Sequence, residues 1–180
     1  MFTTVSLDDF RTIKESKTDN IVHIVAHAVK VMHDIAKANR PVTGEEELAK
    51  LKGAIHVLTR IFPLLFEEKE LFIRCMWREQ ALFDSQINAI NMMEAISLLL
   101  FKEGFTIMPL PDGITPQYYG IDENLVWRSG ISVPGATNHN NYQYDKNRTD
   151  LLRLMITILS QPLFYAPDEY LLVLNPFSTY

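Results

Sequence analysis

Hydrophobic side chains recur at three- and four-residue steps along most of this chain, the spacing that lines one face of an α-helix. Ile21, Ile24, Val25, Ala28, Val31, Met32 and Ile35 form such a stripe, so a helix is predicted from Ile21 to Asn39. Thr18, Asp19 and Asn20 offer N-cap oxygens ahead of it, and Pro41 ends it. Leu48, Leu51, Ile55, Leu58, Thr59 and Phe62 make the next stripe, with Thr43 and Glu46 spaced as a capping box and Pro63 as a break or kink. Gly53 lies inside it, where it weakens the helix and leaves room for a close neighbour. Ile87, Ile90, Met93, Ile96, Leu99 and Leu100 predict a helix from Asp84 or Ser85 to Glu103, with Gly104 as its left-handed stop. Shorter helical pieces fit Ser6 to Ser16, Leu64 to Gln80, and Leu163 to Leu174.

The periodicity fails between Phe105 and Tyr144. Pro109, Pro111, Pro116 and Pro134, with Gly113, Gly120, Gly130 and Gly135, are too many breakers for a long helix. They predict an irregular connector over residues 105–145, with short extended pieces at Phe105–Met108 or Leu125–Arg128. Helical order resumes with Leu151, Leu152, Leu154, Met155, Ile158 and Leu159, from near Asn147 to a stop at Pro162. Asp145, Asn147, Thr149 and Asp150 are oxygens that suit the unpaired amides and positive dipole of that helix start. On this reading, losing Asp145 or Arg148 costs about 1–3 kcal/mol in caps and buried hydrogen bonds.

Composition narrows the picture. With 180 residues, the chain fits one compact domain or one part of an extended helical array. No fixed-period repeat is visible, yet five or six amphipathic helices in pairs suit a divergent helical-repeat array. The final apolar segment, ending Phe177-Ser178-Thr179-Tyr180, reads as a cut through a larger structure because terminal repeats carry a polar outer face. Residues 1–180 therefore read as a single, mainly α region of a HEAT- or armadillo-like α-solenoid, with the Pro/Gly-rich connector inside it. A net charge of -5 argues against a nucleic-acid partner. No apolar run approaches the roughly 20 residues of a membrane-spanning helix. The lone Cys75 favours a reducing compartment, and Phe2 stands where N-myristoylation needs glycine.

Candidate chemistry is sparse. His23 and His27 have the spacing of two zinc ligands, but Ile24 occupies the place of the acid a catalytic zinc helix needs, and nothing makes His33 or His56 converge on them. Cys75 has Arg74 and Arg78 beside it to favour a thiolate, yet no histidine nearby to act as base. Glu45, Glu46 and Glu47 suit a helix start. No Gly-x-Ser-x-Gly elbow or phosphate-cradling glycine loop occurs. The remaining polar concentration is the loop 138–148, read either as a recognition surface or as a structural joint.

Two runs carry a family resemblance. Val126-Trp127-Arg128-Ser129-Gly130-Ile131 resembles a Trp-x-x-Gly connector. Asn141-Tyr142-Gln143-Tyr144-Asp145-Lys146-Asn147-Arg148-Thr149-Asp150-Leu151-Leu152 resembles an Asn-Tyr-x-x-Asp-x-Asn-Arg-x-acid-Leu-Leu helix start. Both are features of the high-temperature-induced dauer-formation (Hid) family, large eukaryotic peripheral proteins of the Golgi. Leu58 to Glu67, Leu98 to Phe101 with Phe105-Thr106, and Phe10-Arg11 agree in order and separation. The resemblance spans most of the chain and corresponds to an N-terminal portion of longer members; their myristoylatable glycine has no counterpart here.

The resemblance implies a non-enzymatic, cytoplasmic, Golgi-associated scaffold of protein sorting and secretory-vesicle formation. Its partners would be other proteins of the trafficking machinery, with indirect peripheral membrane association. It carries no catalytic residue, cofactor or metal. It marks Trp127, Gly130, Asn141, Tyr142, Asp145, Asn147 and Arg148 as a structural or interaction motif. One rival reading is a small cytosolic enzyme using the loop 138–148, with His139, Tyr142, Asp145 and Arg148 in its site; another is a truncated product with little independent function.

Overall fold

The computed structural model describes residues 7–77, 87–107 and 142–165. Among them are six α-helices: α1 Leu7–Ser16, α2 Thr18–Lys37, α3 Glu45–Phe66, α4 Lys69–Met76, α5 Asn88–Leu99 and α6 Tyr142–Leu159. A 3-10 turn at Gln161–Phe164 follows, with Pro162 at its start. The described residues contain no β-strand, only a bridge between Glu103 and Ile107. The mainly α expectation therefore holds.

Burial, more than capping, decides where these helices form. Val25, Met32, Leu51, Leu58, Phe62, Leu65 and Phe72 are fully buried, each contributing about 1.5–3 kcal/mol on removal from water. Phe66 sits at the centre of an aromatic group, with ring centres 5.7 Å from Phe62, 5.3 Å from Phe72 and 5.2 Å from Phe164. A side-chain cap contributes about 1 kcal/mol, and α2, α3, α4 and α5 form without one.

The caps expected from the sequence are accordingly replaced. The N-cap of α3 is Gly44 rather than Thr43, and Glu46 pairs with Lys50 at 2.7 Å. Thr18 Oγ1 donates back to the Lys14 carbonyl at 2.7 Å, and Asp19 pairs with Arg74.

Cross-helix contacts fix the directions. The linker after α2 turns the chain back, and Arg40 grips Glu47 with two hydrogen bonds of 2.9 and 2.7 Å, so α2 and α3 form an antiparallel pair. Lys14 of α1 reaches Glu67 and Glu68 just beyond the far end of α3. Along α2 and α5, His33 meets Glu94 at 3.0 Å, while Lys102 beyond α5 reaches the Ala36 carbonyl at 3.1 Å. Contacts that advance together mean parallel helices. Along α3 and α6, His56 meets Asp150 at 3.2 Å and Phe66 meets Phe164 farther on, again in parallel. The α2–α3 pair is thus backed by a second pair, α5 on α2 and α6 on α3.

Several sequence expectations change on contact with this packing. Helix α3 runs through Pro63 to Phe66. The proline removes one bond to the Thr59 carbonyl, and the burial of Phe62, Leu65 and Phe66 outweighs it. Gly53 admits no neighbour: a Cβ there would meet nothing within 4 Å. The buried face of α5 is Asn88, Ala89, Met92, Ala95, Ile96 and Leu99, with Ile90 exposed. Its last residue is Leu99 rather than Glu103, and the chain then enters a turn.

Gly104 does adopt the left-handed conformation, with φ +77°, but in that turn, several residues past the helix end. Of the expected extended piece Phe105–Met108, Phe105 and Thr106 belong to the same turn, Ile107 forms the bridge to Glu103, and Met108 lies outside the described residues. Helix α6 begins at Tyr142, more than one turn ahead of the expected start near Asn147, so the connector does not reach residue 145. Most of the 105–145 connector and of the expected last helix lies outside the described residues.

Candidate functional site

The sequence motif of 142–150 lies on the first half of α6, against the Gly104 turn. The turn is built by a close backbone approach. Val42 N–H donates to the Glu103 carbonyl at 2.9 Å, and a Cβ on Gly104 would lie 2.1 Å from the Val42 oxygen. Thr106 is fully buried; its hydroxyl donates to the Leu99 carbonyl at 2.7 Å and accepts from the Lys102 amide at 3.1 Å, closing the end of α5. Lys102 Nζ donates to the Ala36 and Ala38 carbonyls at the end of α2, where a cation also suits the helix dipole. Burial holds the Lys102 ammonium below its usual pKa, opposed by the charge of Glu47.

Asn147 joins α6 to this turn. Its side-chain amide donates to the Phe105 carbonyl at 2.7 Å, and its oxygen accepts from Gln143 at 2.9 Å. One turn farther on, the buried Asp150 carboxylate accepts from His56 Nε2 of α3 at 3.2 Å and from Arg153 at 3.3 Å. Lys52 lies close by. Burial first, then repulsion from Lys146, lower its pKa against the pull of Asp150.

The predicted motif residues divide between these roles. Asn147 is buried and bridging rather than a cap. Asp145 and Arg148 pair with each other at 2.7 Å on the solvent side, and Tyr142 is 71% exposed. Trp127, Gly130, Asn141 and His139 lie outside the described residues. Sequence reading missed Phe105, Thr106, Lys102, His56 and Asp150 as members of the joint. One signal was present: Asn147 falls in phase with Leu151, Leu154 and Ile158, and a polar residue on an apolar stripe is a buried anchor awaiting a partner.

The other candidates do not assemble. His23 and His27 are exposed on α2, whereas His33 and His56 engage separate carboxylates. His33 and then Lys37 hold the Glu94 carboxyl below its usual pKa. Among the described residues no three His, Cys, Asp or Glu side chains converge. Cys75 is fully buried, and burial pushes its thiol up to about 12, outweighing the opposing effect of Arg74. The thiolate needed for nucleophilic attack is disfavoured there. No described helix is long and apolar enough to cross a membrane.

Comparison with known proteins agrees with the motif. A sequence model described as high-temperature-induced dauer-formation protein matches residues 1–175. A Hid-1 family protein of Schizosaccharomyces pombe is 25% identical over 173 residues, covering 91% of this chain and 20% of its own length. Protein HID1 of Mus musculus is 22% identical over 188 residues, and that of Homo sapiens 22% over 187; each alignment covers 93% of this chain and 23% of the relative. The chain therefore spans about a fifth of the length of these relatives. No solved structure matches it.

Proposed function

The chain belongs to the high-temperature-induced dauer-formation protein family, and on that premise we propose that it is a non-enzymatic scaffold of the Golgi and secretory pathway. It works through contacts with other trafficking proteins in protein sorting and secretory-vesicle formation, and associates with the membrane only peripherally. The observation that carries the reading is the stacking of one helix pair on another, α5 parallel to α2 and α6 parallel to α3. Such stacking suits a HEAT- or armadillo-like array, in which each unit covers the apolar face of its neighbour and the assembled surface serves binding.

The joint of Phe105, Asn147, His56 and Asp150 serves as the rivet between the pairs, not as a reaction centre. Its polar groups are spent on holding backbone and helices together. The test is proximity labelling in cells expressing the full chain, against an Asn147→Ala version that loosens the joint. Golgi and secretory-pathway neighbours that fade with the variant are expected. Labelling spread through the cytosol by both versions would reject the scaffold reading.

A further inference from the structure

The seam between α3 and α6 gathers positive charge around one acid. His56 meets Asp150 at 3.2 Å where the two helices run in parallel. Lys52 and Lys146, each four residues earlier, therefore come level one turn before that contact, close enough for the Lys146 charge to repel Lys52. Arg153 reaches the same Asp150 carboxylate at 3.3 Å. Arg60 continues the row of Lys52 and His56 at the next turn of α3.

The charges along this seam do not balance. Lys52, Arg60, Lys146 and Arg153 set four positive charges against the single negative charge of Asp150, in a chain whose net charge is -5. The Asp150 side chain is 8% exposed and already engaged by His56 and Arg153. Among the described residues no acid lies within ion-pair distance of Lys52, Arg60 or Lys146. Asp145 is taken by Arg148, and Glu45 stands two turns before Lys52 at the start of α3. Arg60, Lys146 and Arg153 are exposed, so the unbalanced charge faces solvent.

We infer that this strip docks an acidic segment of a partner protein. The inference rests on the reading above that the chain works through protein contacts, and adds the chemistry of one such contact. Charge complementarity selects the sign of the occupant, and the arginine fork suits carboxylates. Shape selects a chain: cations on successive helix turns stand about 6 Å apart, and alternate residues of an extended segment about 6.6 Å apart. The row from Lys52 to Arg60 is a line of about 12 Å. An anionic bilayer is a plane, and would also meet the negative charge carried by the rest of the chain.

The probe is a fluorescein-labelled peptide of alternating glutamate and serine, set against the same peptide with glutamine in place of glutamate. Binding to the purified 180-residue chain is read by anisotropy. The glutamate peptide should bind, more weakly as salt is raised, and the glutamine peptide should not. Lys52→Gln with Lys146→Gln should weaken binding by at least about tenfold. Lys146→Gln with Arg60→Gln, at two exposed sites, should do the same with unchanged circular-dichroism melting. Lys17→Gln with Lys50→Gln removes equal charge away from the strip and should leave binding within about twofold.

No binding, equal binding of both peptides, or equal losses in the strip and control variants would overturn the inference. So would co-sedimentation with phosphatidylserine vesicles that needs the same lysines while the peptide fails to bind, since a lipid surface would then be the occupant. Failure in this purified system would leave the Golgi reading standing or falling by labelling in cells.

Discussion

Asn147 of α6 donates its side-chain amide to the backbone carbonyl of Phe105 at 2.7 Å, across 42 residues of sequence, with both residues buried. This bond ties the second helix pair to the turn that closes α5. It also fixes the phase of α6, placing Asp150 one turn farther on against His56.

Asn147→Ala should therefore lower stability by about 1–3 kcal/mol, because the Phe105 carbonyl loses its partner in a buried setting. Asp145→Ala and Arg148→Ala should each cost no more than about 0.5 kcal/mol, since their mutual pair is solvent-exposed and local to one helix. Urea denaturation of the three variants checks the order. Equal losses at all three positions would place the joint elsewhere.

Two glycines should respond in opposite directions. Gly104→Ala puts a Cβ 2.1 Å from the Val42 oxygen at φ +77°, and should cost at least about 2 kcal/mol from strain and displacement. Gly53→Ala, in a helix interior with open space around it, should stabilise by roughly 0.5–1 kcal/mol. Thermal melts of both proteins measure the contrast.

Cys75 should be silent to thiol reagents in the native protein and react only as the chain opens, so labelling at pH 8 should track urea-induced unfolding. The sign of the pH effect follows from the raised pKa. Above the ordinary value of 9.0 the unfolded thiol loses its proton while the folded one keeps it, up to about 12. The unfolded state then binds fewer protons, and this contribution to stability is complete below pH 9 and lost as pH rises toward 12, by at most about 1.4 kcal/mol per pH unit. Cys75→Ser should leave that region of the stability profile flatter.

Lys102→Met should cost about 1–2 kcal/mol. It removes the ammonium that serves the Ala36 and Ala38 carbonyls at the end of α2 and keeps an unbranched apolar stem. Hydrogen exchange should show the last turn of α2 opening first, ahead of α3. Unaltered protection there would show that water serves those carbonyls equally well.

Local pattern alone determined a good deal here. The stripes of α2, α3 and α6 are written in apolar residues three and four apart, and Pro41 and Pro162 mark ends that the chain respects. The runs Val126 to Ile131 and Asn141 to Leu152, with the agreeing segments before them, carried the family resemblance. Tertiary structure decided what the pattern could not encode. Ile24, Ile90 and Leu152 are apolar and in helical phase, yet exposed, because neighbouring helices cover other sides. Pro63 sits inside a helix because buried phenylalanines outweigh one lost hydrogen bond.

The motif shows the division most clearly. Its Asp and Asn residues looked alike as capping groups, since each offers an oxygen near a helix start. Only the parallel packing of α6 on α3, against a turn whose Gly104 touches Val42, sends Asn147 and Asp150 inward and leaves Asp145 in solvent. A cap is a contact between residues a few positions apart, legible in sequence; a bridge from Asn147 to Phe105, or from Asp150 to His56, depends on burial that exists only once the helices have met.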